Sequence, residues 1–193
     1  MVNQPRSGVL FLTFDENREE YKMLLVKGNE HLLWGPPKGH ANRYERPEIT
    51  AMREVREEVG LTVEIDKFTP FFTVKNMNIK IYIVMYDQKK HGKVFIDNDE
   101  CVEYRWTTIT EINYMKTNVV SKTIYQKWLS IIEMIDDQQK QKQQIEERKN
   151  QWIIKFHNKL RIKEQINTLI KEQQRYNEWI NNMIEHLNEF ITE

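Results

Sequence analysis

An acidic segment bracketed by two glycines constrains this chain more than any other feature. From Gly39 to Leu61 it reads Gly39-His40-Ala41-Asn42-Arg43-Tyr44-Glu45, seven further residues, then Arg53-Glu54-Val55-Arg56-Glu57-Glu58-Val59-Gly60-Leu61. Glu54, Glu57 and Glu58 stand at i, i+3 and i+4, so on a helix their carboxylates leave one face and reach a common point. Three like charges that close call for a cation; a solvated acidic helix face is the plain alternative. Pro47 suits a first helical turn, Glu48 the positive helix end, and Gly60 a left-handed stop. Ile49, Met52, Val55 and Val59 supply the opposite, apolar stripe that would lie on a sheet. Gly39 lets the turn adopt the φ it needs and brings a carbonyl near a ligand. Glu45 and Arg53 are placed to pair across that turn.

The frame around the glutamates runs Gly, five residues, Glu, seven residues, Arg-Glu, an apolar residue, any residue, Glu-Glu, any residue, Gly, an apolar residue. It resembles the signature of the Nudix hydrolase family at every fixed position. That resemblance implies an α/β fold, the Nudix α/β/α sandwich with a mixed sheet. It also implies that Glu54, Glu57 and Glu58 are metal ligands, that the Gly39 carbonyl completes the shell, and that Glu45 and Arg53 are an orienting pair. Hard oxygen ligands, with no Cys or His set at zinc spacing, suit Mg²⁺ or Mn²⁺. Such ions fill their octahedra with water and phosphate oxygens, so a di- or polyphosphate is the natural substrate.

Trp34-Gly35-Pro36-Pro37-Lys38-Gly39-His40 leads into the acidic segment, stiffened by two prolines and so inexpensive to order for binding. Lys38 is a candidate phosphate contact, and His40 either donates to a phosphate or caps the turn. Trp34 and Tyr82 complete the candidate substrate contacts. Tyr82 is one of four aromatics, with Phe71, Phe72 and Tyr86, for which core packing competes with stacking on a base. Pro-Pro-Lys-Gly-His resembles the diadenosine-tetraphosphate hydrolases; Trp-Gly-x-Pro-Lys-Gly also resembles the mRNA-decapping Nudix enzymes. The former carry a Glu followed at similar distance by Tyr-Arg-Trp, as Glu100 precedes Tyr104-Arg105-Trp106 here. The resemblance thus implies that Glu100 assists metal binding or acts as base, with Glu103 its rival and a solvated turn the plain reading.

Strands are expected over Gly8–Phe14, Tyr21–Val26, Leu32–Trp34, Thr62–Val74 and Ile79–Tyr86, with turns at 15–17 and 75–78. A further strand should end at Trp106, after the acidic loop 97–100. Thr108 and Glu111 fit a capping box. The 193 residues suggest one domain with an appendage: a catalytic domain over 1–115 and a helical extension over 116–193. Formal net charge is zero, which advertises neither nucleic acid nor an anionic membrane. The single Cys101 excludes an internal disulfide framework, and with no secretory apolar region near Met1 a cytoplasmic setting is expected. No apolar run approaches a membrane span.

After Gly92 there is no glycine, and after Pro70 no proline, which favours long helices. Val119–Ile135 is predicted as one amphipathic helix, with Asp136-Asp137 a candidate break. Tyr176, Ile180, Met183, Leu187 and Phe190 follow four- and three-residue steps, the spacing of a coiled-coil seam. Its partner is a second copy (a homodimer), a hairpin turning at Asn158 or Asn167, or the core. Lys140, Lys142, Arg148, Lys149, Lys155, Lys159, Arg161 and Lys163 make the early extension basic, either a solvated face or an RNA contact. Expected partners are accordingly a nucleotide or capped RNA, and no membrane.

Overall fold

A computed structural model describes residues 4–74, 77–96 and 100–192, with side chains as far as Met183. Parts of the expected turn at 75–78 and of the acidic loop at 97–100, and the side chains of Leu187 and Phe190, lie outside that description. The chain divides into two compact units, Met1–Lys140 and Gln141–Glu193.

The first unit is built on strand β1 (Arg6–Asp15), whose side chains alternate between two cores. Val9 and Phe11 face one side with Leu24, Val26, Val55 and Val59. Leu10 and Leu12 face the other with Met23, Leu25, Ile81, Ile83 and Ile124. This is why the strand reads as an unbroken apolar run: both of its faces are covered. β1 runs parallel to β6 (Ile79–Met85) along one edge. Beyond β6 lies antiparallel β5 (Phe71–Val74).

On its other edge β1 changes partner. Leu12–Asp15 pair with the start of β2 (Glu20–Gly28), whereas Arg6–Gly8 pair with β4 (Lys38–His40). β2 likewise leaves β1 and takes β3 (Trp34–Gly35) at Val26 and Lys27. β1 and β2 therefore splay apart, and the Trp34–His40 segment fills the opening. At Gly8 that fit is close enough that a Cβ would strike the Pro37 carbonyl and Lys38. β7 (Cys101–Thr108) pairs along the outer edge of β2.

Helix α1 (Pro47–Val59) covers one face, ending at Gly60 with φ 67°, the left-handed conformation that favours glycine. It buries Ala51, Val55 and Val59; Ile49, expected in that stripe, is exposed. Two short helices also belong to the first unit, α2 (Gln88–His91) and α3 (Val119–Gln126). The Thr108–Glu111 capping box forms with reciprocal bonds, Thr108 N–H to Glu111 at 2.9 Å and Glu111 N–H to Thr108 at 3.3 Å. It starts only a single 3₁₀ turn, Glu111–Tyr114.

Several expectations are corrected here. Thr62–Val74 is a strand only from Phe71: Asp66 and Thr69 bond each other and nearby amides in a turn, which Pro70 follows. The helix expected over Val119–Ile135 is interrupted at Lys127, and α4 (Trp128–Thr192) then runs through Asp136-Asp137. Asn158 and Asn167 lie within helix and make no hairpin. The first unit extends past residue 115, with Val120, Ile124, Ile131 and Ile135 in the core opposite α1. In the second unit, residues 141–192 are helical and nearly every apolar side chain described is exposed. No helix among the described residues is long and apolar enough to cross a membrane.

Candidate metal centre

The glutamates gather where the splayed strands present the motif loop to α1. Glu54, Glu58 and Glu100 each offer a carboxylate oxygen, and the three oxygens lie within 4.8 Å of one another. Two come from one turn of α1, the third from the residue before β7. Glu100 is fixed at its backbone, where its carbonyl accepts from the Asn29 amide at 2.9 Å. Glu58 accepts from the Lys38 amide at 2.9 Å, which ties the loop to the helix. Gly39 leaves the room: a Cβ there would run into the Glu54 carboxylate.

Burial and like charge act together on this trio. Burial, with Glu54 and Glu100 adding repulsion, pushes the Glu58 carboxyl up to about 8, against the opposing pull of the Lys38 charge and amide. Glu54 is raised too, chiefly by burial, although Arg53 works the other way. The Cys101 thiol beside them is pushed up to about 12 by burial and the two carboxylates Glu58 and Glu100. It is therefore an inert, packed thiol at neutral pH. Converging hard oxygens at a glycine cradle suit Mg²⁺ or Mn²⁺.

Arg53 organises the rim. Its Nε and one terminal nitrogen fork onto both oxygens of Glu45 at 3.1 and 3.0 Å, and the same terminal nitrogen donates to the His40 carbonyl at 2.8 Å. The other terminal nitrogen lies 2.8 Å from Glu54 and 2.7 Å from Glu57. Glu45 also accepts from the Asn42 amide and the Thr50 hydroxyl, and the Arg53 bond leads in lowering its carboxyl to about 2. Thr50 was not among the residues singled out from the sequence. Its signal was available, since it stands three residues before Arg53 on the same helix face.

Of the expected ligands, Glu57 stands outside the clustered trio, half exposed and held by Arg53. Glu103 is drawn to Lys27 at 3.8 Å and Arg105 at 3.2 Å, so the cluster takes Glu100 rather than its rival. Lys38 borders the cluster through its amide and its charge. His40 accepts at Nε2 from Arg6 Nε at 2.8 Å. Burial, Arg6 and Lys38 all depress its pKa. A neutral acceptor ring cannot at the same time donate from that nitrogen to a phosphate.

Two expected substrate contacts are corrected by burial. Tyr82 is 2% exposed and packs under α1, its hydroxyl donating to Glu48 at 2.7 Å, so it has no free face for a base. Trp34 is 7% exposed, packed in the opposite core with the Lys27 and Arg105 cations 5.9 and 5.3 Å from its ring. Of the four aromatics weighed, Phe71 is the one most exposed, and Lys80 lies over its ring at 3.8 Å.

Comparison with known proteins agrees with this geometry. The NUDIX domain family model matches residues 4–128, and the chain belongs to the Nudix hydrolase family. A MutT-like protein of Streptomyces ambofaciens is 30% identical over 96 residues, 50% of this chain. The match spans 61% of that relative's length. Among solved structures, a C. elegans Ap4A hydrolase binary complex superposes with a TM-score of 0.52 at 18% identity, covering 67% of this chain and 97% of that one. The NUDIX domain of Shewanella oneidensis NrtR, complexed with ADP ribose, does so with 0.53 at 15% identity, covering 68% and 90%. At such identities these structures speak to the fold.

Proposed function

We propose that the chain is a divalent-metal-dependent pyrophosphohydrolase acting on a nucleoside diphosphate linked to a further group. The convergence of Glu54, Glu58 and Glu100 beside the Gly39 cradle carries this reading. Glu54 and Glu58 would hold Mg²⁺ or Mn²⁺ with the Gly39 carbonyl, and Glu57 would join them on release from Arg53. A bound ion of this kind supplies Lewis-acid polarisation of a phosphoryl oxygen and lowers the pKa of water. Glu100, at the exposed edge of the cluster, would take the proton from the attacking water. Lys38 would meet the phosphate chain as a point charge. Arg53 and Glu45 position the loop against the helix and touch no substrate.

The preferred substrate is a dinucleoside polyphosphate. Pro36-Pro37-Lys38-Gly39-His40 and the Glu100 to Trp106 pattern support it. The similar fold of a protein described as an Ap4A hydrolase is consistent with it. Hydrolysis of the 5′ cap of RNA is the second reading, favoured by the exposure of all eight basic residues from Lys140 to Lys163. The exposed apolar residues of the second unit would serve self-association. The lone thiol, buried, suits a reducing cytoplasm.

Turnover of diadenosine tetraphosphate and of capped RNA, each with Mg²⁺ and Mn²⁺, tests the assignment. Nucleotide release from the dinucleotide at the higher kcat/KM is expected. Cap release without dinucleotide turnover would reverse the order, and metal-independent or absent turnover of both would overturn the proposal.

A further inference from the structure

Residues 162–183 present an apolar face whose side chains are largely exposed. Ile162, Ile166, Leu169, Gln173, Tyr176, Ile180 and Met183 follow one another by steps of four and three without a break. This continues toward the N-terminus the seam expected from Tyr176 onward, giving three heptads. Ile162, Ile166, Leu169 and Tyr176 are each 50–64% exposed, and Met183 is also exposed. Ile170 and Trp179, beside the seam, are exposed too and widen it. A helix with such a stripe gains most of its stability from what covers the stripe.

Deepening the self-association reading above, we infer that residues 162–183 pair with a second copy of this chain as a parallel, in-register two-stranded coil. Charge permits pairing with a copy and sets the limit of the pairing. In a parallel pair Gln165 faces the copy's Ile170, and Glu172 faces its Asn177, so no like charges meet across the flanks. Followed back from Ile162, the same steps land on Lys159 and Lys155, which would set each lysine against its own copy. The paired stretch therefore begins at Ile162 and leaves the basic segment before it in solvent.

Gln173 selects the orientation. It is the one polar residue among the seven seam positions. In the parallel, in-register pair it meets its own copy, and each side-chain amide donates to and accepts from the other. An antiparallel pair sets it against Leu169 or Tyr176 of the copy instead, desolvating an amide opposite a carbon surface. A single polar seam residue is a known means of specifying register.

The test uses the full chain. Light scattering of the wild type is expected to give twice the 23.5 kDa chain mass. Ile166→Asp with Ile180→Asp should halve that mass and lower helical content, while turnover per active site stays unchanged. Under mild oxidation Gln173→Cys alone should form a disulfide-linked pair, and so should Leu169→Cys alone. Wild type, whose only thiol is the buried Cys101, should not. A monomeric wild type would overturn the inference, including one that acquires a partner only when RNA is added. Cross-linking seen only in mixtures of Gln173→Cys with Leu169→Cys chains would overturn the orientation. Turnover measured on the same samples keeps the two readings apart, since an active monomer sinks the pair alone and an inactive dimer sinks the hydrolase reading alone.

Discussion

Gly39 faces the Glu54 carboxylate so closely that a single methyl on this glycine would collide with it. The glycine of the motif thus leaves room for the clustered carboxylate. Gly39→Ala is expected to displace Glu54, weakening Mn²⁺ binding and lowering kcat at least tenfold with little change in thermal midpoint. Metal titration and melting of the same sample check this. Wild-type metal affinity in the alanine variant would show that the space is not needed.

Arg53 serves Glu45, Glu54, Glu57 and the His40 carbonyl at once. A lysine keeps the charge but has no planar fork. Each charged hydrogen bond forgone costs about 1.5–3 kcal/mol. Arg53→Lys should therefore lower both the thermal midpoint and kcat while leaving KM for the nucleotide nearly unchanged. A rise in KM at constant kcat would place Arg53 on the substrate instead.

Much of this architecture could be read before any coordinates, and what could not has definite causes. The acidic segment gave α1, its glycine stop and the Glu45–Arg53 pair, because a helix face and a charge pair follow from spacing alone. Thr62–Thr69 misled because burial does alternate at its start, with Leu61 and Val63 in the core and Thr62 and Glu64 outside, before Asp66, Lys67 and Phe68 all turn to solvent. Alternation reports which side chains are buried, not whether the backbone finds a strand to pair with. Aromatics were illegible for a related reason: Tyr82 and Phe71 are cross-strand neighbours, yet one lies under α1 and the other in solvent. Asp136-Asp137 failed to end α4 because aspartate costs a helix only a fraction of a kcal/mol, roughly 0.7 or less. The break at Lys127 carries neither Gly nor Pro to announce it.

Glu45 gives the site a pH dependence of known sign. Its carboxyl is lowered from 4.5 to about 2, so the stabilisation from its ionised form is complete above pH 4.5 and lost as pH falls toward 2. Between those limits the wild type should lose thermal stability, and Glu45→Gln should lose less. Parallel slopes for the two proteins would exclude this contribution.

Ile131, near the start of α4, is fully buried against the sheet. Ile131→Ala should cost about 2–5 kcal/mol by denaturant unfolding, as for a buried core isoleucine. Ile162→Ala, at an exposed position of the same helix, should leave the midpoint of the first unit unmoved. Equal effects would mean that the two compact units do not unfold separately.

In the proposed mechanism Glu54, Glu58 and Glu100 form one divalent-cation site. Titrating Mn²⁺ into wild type and into Glu58→Gln by electron paramagnetic resonance, with turnover of diadenosine tetraphosphate followed on the same samples, tests it most directly. Wild type should bind Mn²⁺ and hydrolyse the dinucleotide, while Glu58→Gln should bind it at least tenfold more weakly and lose turnover by about two orders of magnitude or more, within the several kcal/mol a catalytic metal supplies. Unchanged Mn²⁺ affinity together with full turnover in Glu58→Gln would mean that these three carboxylates hold no catalytic ion.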